Sequence, residues 1–279
     1  MSINWFPGHM VRARREIEEN LKLVDIIVFL VDARAPLSCR NPELERLGAK
    51  KKSLMVLNKI DLIPPQTLKN YMFRLKQEGR SAAAINSLTG KGKKDVLHAI
   101  EKTYFPVAEA MRLKGRRVRP ARVMVAGVPN VGKSSFINCL VGQKTAVTGA
   151  KPGVTRGKQW VRIREDIELL DTPGLMWPKV ENEEQGLKLA LLDIMGERAY
   201  AEEEVAIYLL RLLKAKTPAV ISERLLINNP TGTEYEMLEQ IARNRGFLSK
   251  GAQVDLEKTC RSLLQDFRKG KLGQIALDD

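Results

Sequence analysis

Cysteine is sparse and unpaired in its spacing. Cys39, Cys139 and Cys260 are odd in number and far apart. They give neither a disulfide framework nor a cysteine-held zinc site, and they fit a reducing cytosol. Long apolar runs are missing too, since none reaches the roughly 18 residues that a membrane span needs. The opening stretch M-S-I-N-W-F-P-G-H-M lacks the apolar core of a signal peptide. The chain is therefore expected to be cytoplasmic, with no membrane attachment. Internal repeats and low-complexity tracts are absent as well. Acidic charge is short in one part only: residues 1–179 hold 33 Lys and Arg against 16 Asp and Glu, whereas residues 180–279 hold 14 against 17. A basic excess confined to one segment suggests a polyanionic partner, with nucleic acid foremost, over a merely solvated face. A second basic patch is expected at 243–271, where 8 basic residues meet 3 acidic ones.

What is present suffices for about two domains of ordinary size. The chain has 279 residues, 44% of them hydrophobic and 29% charged. Residues 127–134 read G-V-P-N-V-G-K-S, a complete G-x-x-x-x-G-K-[ST] phosphate-binding loop. Glycines at 127 and 132 let the backbone fold tightly, so that its N–H groups point at phosphate oxygens. Lys133 would reach the β- and γ-phosphates and the Ser134 hydroxyl would hold Mg²⁺. The flanks agree. Ala121 to Gly127 is a short β-branched run, read as a buried strand, and Phe136, Ile137, Leu140 and Val141 predict a helix over 134–141. Anionic phosphate then sits at the positive end of a helix dipole, within reach of Asn130, Val131, Gly132, Lys133, Ser134 and Ser135.

Ahead of this loop lie three further strands and their helices. Apolar spacing at Met10, Ala13, Ile17 and Leu21 predicts a helix over 10–22. Strands are expected at 25–31, 53–57 and 81–85, and helices at 66–78 and about 93–102. Asp32 to Pro36 reads as a loop. Residues 106–122 read as a connector in which Arg112, Lys114, Arg116, Arg117, Arg119 and Arg122 oppose only Glu109; it is either solvated or phosphate-contacting. Behind the phosphate loop, strands are expected at about 157–164 and 167–171. Alternating strands and helices imply a doubly wound α/β domain over 1–178. From 179 to 279 the periodicity is helical, with a capping box at Thr233 and Glu236, and predicts a smaller all-α domain.

The second strand ends in N-K-I-D at 58–61. The Asp61 carboxylate can accept from N1–H and the 2-amino group of guanine, whereas adenine offers no such pair of donors on that edge. A site built on buried acceptors rejects a ligand that leaves them unpaired, by up to about 10⁴-fold in comparable cases. Asn58 and Lys59 would brace the loops and pack on the base, and Ser87, in N-S-L-T-G, would touch guanine from the far side. D-T-P-G at 171–174 ends the last strand. Asp171 would act on Mg²⁺ mostly through water, and the Gly174 N–H would meet the γ-phosphate. Thr155 in the K-P-G-V-T-R loop is the candidate second Mg²⁺ hydroxyl, with Thr148 its rival.

These are the motifs of a GTP-binding domain in an unusual order, with base recognition ahead of the phosphate loop. The chain resembles the circularly permuted GTPases. W-F-P-G-H-M at 5–10, together with the other motifs and the R-K-G-K-L-G near the end, makes it similar to the ribosome biogenesis GTPase A (YlqF-like) family over essentially its full length. That resemblance implies a GTPase that uses GTP and Mg²⁺, assists late assembly of the large ribosomal subunit and binds rRNA partly through its helical domain. A free monomer is expected. A GTPase of tRNA modification, or a nucleotide-gated RNA-binding module with little turnover, are the competing readings.

Leu175 stands where conventional GTPases carry a water-orienting Gln. Slow intrinsic hydrolysis, stimulated by the partner, is expected. His9 is the candidate replacement, by resemblance and because the helix that follows it should fill the place of the helix after D-x-x-G. His98 is expected to be structural. Asn130 resembles the loop asparagine through which some related GTPases bind K⁺. The D-T-P-G loop runs directly into the helical domain, so nucleotide state is expected to set that domain's orientation.

Overall fold

The computed structural model describes residues 7–142, 160–171, 180–195, 200–227, 232–249, 251 and 253–278, with side chains from Arg14 onward except that of Asp171. It divides into two units, Met1–Val180 with Ala276–Asp279, and Glu181–Ile275.

In the first unit, β1 (Ile26–Asp32) is buried at every position. Such a strand belongs inside a parallel sheet covered on both faces. With β2 (Lys52–Asn58), β3 (Ala82–Ile85), β4 (Ala121–Ala126), β5 (Trp160–Arg164) and β6 (Ile167–Asp171) it forms one sheet of order β3-β2-β1-β4-β6-β5. All pairs are parallel except β5 with β6. The chain steps outward from β1 to β3, then lays β4 on the other side of β1. The join between β1 and β4 is therefore the topological switch point, where doubly wound sheets hold ligands at the carboxyl ends of their strands. Register brings the carboxyl ends of β2, β1, β4 and β6 side by side: Asp32 pairs with Asn58, Phe29 with Ala126, and Val125 with Asp171.

Helices α1 (Pro7–Leu21), α2 (Pro42–Gly48), α3 (Pro65–Gln77), α4 (Lys93–Leu113) and α5 (Lys133–Val141) complete the unit. Ile17 and Leu21 of α1 are buried, as their spacing requires. The sequence reading leaves α2 unassigned, although Asn41 caps it, its side chain accepting from the Glu43 and Leu44 N–H groups. A larger correction concerns α4, which runs through Pro106 to Leu113 rather than stopping near 102. A mid-helix proline removes one hydrogen bond and crowds the preceding turn. Here Val96, Ile100, Tyr104 and Ala108 continue one buried stripe past it, and the Tyr104 hydroxyl donates to the Arg119 carbonyl at 2.9 Å. Packing of that stripe overrides the local breaker. The expected connector 106–122 is therefore half helix. His98 does not fit its structural expectation either: its side chain is 80% exposed on α4.

In the second unit, α6 (Glu183–Leu191), α7 (Glu202–Lys216), α8 (Pro218–Glu223), α9 (Glu234–Asn244) and α10 (Leu256–Arg268) are the only regular elements among the described residues, besides one bridge between Leu248 and Val254. Thr233 and Glu236 form the expected capping box. Leu263, Leu264 and Phe267 of α10 are buried, and so are Val205, Leu209 and Leu213 of α7, against which α10 packs. The Arg268 guanidinium donates to the Leu191 and Ala190 carbonyls at 3.1 and 2.9 Å, satisfying the end of α6. No helix among the described residues is long and apolar enough to cross a membrane.

Candidate nucleotide-binding site

The phosphate loop follows β4 and turns into α5, whose first turn is Lys133, Ser134 and Ser135. Two glycines are obligatory there for different reasons. A Cβ on Gly127 would stand 2.4 Å from the Leu30 carbonyl of β1. Gly132 holds φ +97°, and a Cβ on it would meet the Asn58 amide nitrogen at 2.6 Å. Phe136 and Ile137 are fully buried and pin α5 beneath the loop. The helix N-terminus thereby turns its first N–H groups toward the carboxyl edge of the sheet. The Lys133 ammonium lies over the loop, 3.4 Å from the carbonyls of Gly127 and Val128.

N-K-I-D arrives from the opposite side. Asn58 is 2% exposed. Its Nδ2 donates to the Val131 carbonyl at 2.9 Å, and its Oδ1 accepts from the Ser87 N–H at 3.2 Å and the Ser87 hydroxyl at 2.7 Å. Lys59, held at φ +61°, donates from Nζ to the Asn130 carbonyl at 3.0 Å and pairs with Asp32 at 2.9 Å. One asparagine and one lysine therefore tie the phosphate loop, the N-K-I-D turn and the N-S-L-T-G loop together. Asp61 sits exposed in the short 3₁₀ turn Ile60–Leu62 beside them. In the N-S-L-T-G loop, the Asn86 side chain accepts from the Leu88 and Thr89 N–H groups, and Gly92 (φ +89°) lets α4 begin against β3.

Sequence reasoning missed the part of the site that carries buried charge. Asp32 and Arg34, read only as loop, are 0% and 2% exposed. Arg34 donates from Nε and Nη2 to the two Asp32 oxygens at 3.0 and 2.8 Å. Burial alone would raise the Asp32 pKa, but the charges of Lys59 and Arg34, with their hydrogen bonds, hold it at about 2. Cys39 lies behind this cluster, and burial, then the nearby Asp32 charge, push its thiol far up, leaving it unreactive. A signal was available: a D-x-R directly after a strand buried on both faces cannot be an ordinary solvated turn.

The remaining predicted residues fall elsewhere. His9 is in α1 and Asp171 ends β6, but neither side chain is among those described. Thr148, Thr155, Gly174 and Leu175 lie outside the described residues. Of the connector arginines, Arg119 forms a bidentate pair with Asp25 at 2.7 and 2.8 Å, and Arg122 stacks on Trp160 and pairs with Glu168. Lys114, Arg116 and Arg117 are exposed.

Comparison with known proteins agrees with this geometry. Residues 122–238 match the family model described as 50S ribosome-binding GTPase. Ribosome biogenesis GTPase A of Bacillus cereus is 39% identical over 278 residues, covering 100% of this chain and 94% of the relative. The protein of that name from Thermotoga maritima is 29% identical, covering 99% and 94%. A crystal structure of GNP-bound YlqF from T. maritima superposes with a TM-score of 0.69 at 25% identity, over 95% of this chain and 97% of that one. Permuted motif order, one six-stranded sheet and full-length similarity converge: the chain is a circularly permuted P-loop GTPase and belongs to the ribosome biogenesis GTPase A family.

Proposed function

We propose that the protein binds GTP across the β1–β4 switch point and hydrolyses it to drive a late step in assembly of the large ribosomal subunit. The observation that carries the guanine site is the pair of hydrogen bonds from Asn58 and Lys59 to the Val131 and Asn130 carbonyls, which puts the base motif one bond from the phosphate loop. Asp61 selects guanine, Ser87 contacts it, and the Lys59 stem packs on its face. Asn130, Val131, Gly132, Lys133, Ser134 and Ser135 cradle the phosphates, and the Gly174 N–H meets the γ-phosphate. Ser134 on the first turn of α5 and Asp171, which ends β6 in register with Val125, offer the hard oxygen donors that suit Mg²⁺. With Thr155 they would hold that ion, which neutralises phosphate charge. Lys133 stabilises the charge that develops on transfer. His9 orients the attacking water in place of the Gln that Leu175 replaces. Asn130 would offer an oxygen to K⁺, which would supply further positive charge when bound.

The partner reading rests on charge and on kinship. Exposed Arg243, Lys258, Arg261, Lys269 and Lys271 give the helical unit a basic surface for rRNA phosphates. The protein acts as a monomer in the cytoplasm. Competition against a fluorescent GDP tests the site. GTP and GDP should displace the probe and ATP should not, and Asp61→Asn should abolish that preference because an amide presents only one acceptor. Immature large subunits should raise turnover at least tenfold over the free protein, less so for His9→Ala or with Na⁺ in place of K⁺. Equal displacement by ATP would remove the guanine reading, and unchanged turnover with subunits would remove the assembly reading.

A further inference from the structure

After α10 the chain returns to the first unit, and Ala276–Asp278 lie on the turn that follows β1. The contact is specific. The Leu277 N–H donates to the Arg34 carbonyl at 2.7 Å. The Asp278 carboxylate accepts from the Leu37 and Ser38 N–H groups at 2.7 and 2.9 Å and from the Ser38 hydroxyl at 2.5 Å. Ala276 and Leu277 are buried. Two successive backbone N–H groups plus a hydroxyl form a small anion seat, and a carboxylate of this chain fills it.

That turn is the one that carries Asp32 and Arg34. Arg34 is fixed at its carbonyl by Leu277 and at its guanidinium by Asp32. Asp32 in turn receives Lys59, and Lys59 reaches the Asn130 carbonyl of the phosphate loop. The Ala33 N–H also donates to the Asn58 carbonyl at 2.8 Å. All but the exposed link from Lys59 to Asn130 join buried or half-buried groups, where misplacement leaves a partner unmet. We propose that Asp278 is a positioning residue for guanine nucleotide: by seating the turn Arg34–Ser38 it holds Asp32 against Lys59, and so holds the N-K-I-D turn and the phosphate loop in their binding geometry. The inference rests on the guanine site proposed above.

The test uses the full chain, a fluorescent GDP titration and amide hydrogen exchange without nucleotide. Asp278→Ala should weaken GDP binding about tenfold, within the usual range of coupling between sites. Asp278→Asn, which keeps an acceptor for the two amides, should fall between it and the parent. Exchange at residues 59–61 and 128–131 should rise in Asp278→Ala while amides of α10 keep their protection. A merely structural role would loosen both alike. If Asp278→Ala does not fold, Ser38→Ala carries the test: it removes one bond from the seat and should cost about threefold in GDP affinity. GDP affinity within twofold of the parent, in Asp278→Ala or, failing that, in Ser38→Ala, would overturn the proposal. A parent protein that binds no GDP would instead overturn the guanine site, which keeps the two failures apart.

Discussion

Replacing Asn58 by alanine would strip three hydrogen bonds from the junction of three loops. The Val131 carbonyl, the Ser87 N–H and the Ser87 hydroxyl would each lose a partner, around a side chain that is 2% exposed. An unmet buried polar group costs about 1–3 kcal/mol. Three such groups give an upper bound of about 9 kcal/mol, but these lie at the end of a sheet where loops can relax and water can enter. A loss of about 2–4 kcal/mol is therefore expected from Asn58→Ala, read by urea unfolding without nucleotide. The slope of free energy on urea should not change, because the surface exposed on unfolding is the same. Affinity for GDP should drop at least tenfold as well, since the bond to Val131 also aligns the phosphate loop. A double-mutant cycle separates the two partners. Ser87→Ala in the Asn58→Ala background should cost less than in the parent, because its bonds to Asn58 are already gone. Asn58→Ala with parental GDP affinity and a stability loss under about 0.5 kcal/mol, the size of an ordinary surface substitution, would refute the reasoning.

Asp32→Asn should destabilise by about 3–5 kcal/mol in thermal or chemical unfolding, because it leaves the Arg34 guanidinium buried without its counter-charge. Since Asp32 is held at about 2, its pairing contributes stability that is complete above the ordinary carboxylate range and is lost as pH falls from there toward 2. The same variant should therefore flatten the acid limb of a stability-against-pH curve. Gly132→Ala, at φ +97° and against the Asn58 amide, should abolish detectable GDP binding in the same titration while costing about 1–3 kcal/mol of stability. Pro106→Ala should stabilise the fold by about 1–3 kcal/mol, read as a raised melting temperature, because α4 is already helical on both sides and regains a hydrogen bond.

Much of the first unit was legible because its signals are local. Strands buried on both faces read as unbroken apolar runs, and each of the two central nucleotide motifs directly follows one. Asn58, Lys59, Ser87 and the 127–135 loop could thus be placed from sequence, and they do meet. The misses share a physical character: each depends on a partner far along the chain. Nothing near Pro106 says that Tyr104 will pack and reach Arg119, so the helix was expected to stop early. Asp32 and Arg34 look like a polar turn until Lys59 and Leu277 arrive to bury them. Arg119 reads as a free cation until Asp25 is opposite it. Residues 276–278 carry no periodicity at all, and only the Asp278 carboxylate, seated on Leu37 and Ser38, shows what holds them.

The strand order has a consequence for how the chain acquires its structure. β1, β2 and β3 are consecutive in sequence and adjacent in space, so half the sheet closes over helical crossovers of 19 and 23 residues. β4 must come from beyond α4 to pair with β1, at much higher contact order. On a ribosome the β1–β3 half, with N-K-I-D at the end of β2, is therefore paired before the phosphate loop has been made. In a GTPase of conventional order the phosphate loop would emerge first. The nascent protein should pass through a state with β1, β2 and β3 paired beside an unpaired edge of β1, before Asn58 and Lys59 have their partners at Val131 and Asn130. That edge is a row of unpaired backbone N–H and C=O groups that a chaperone would have to cover until β4 arrives.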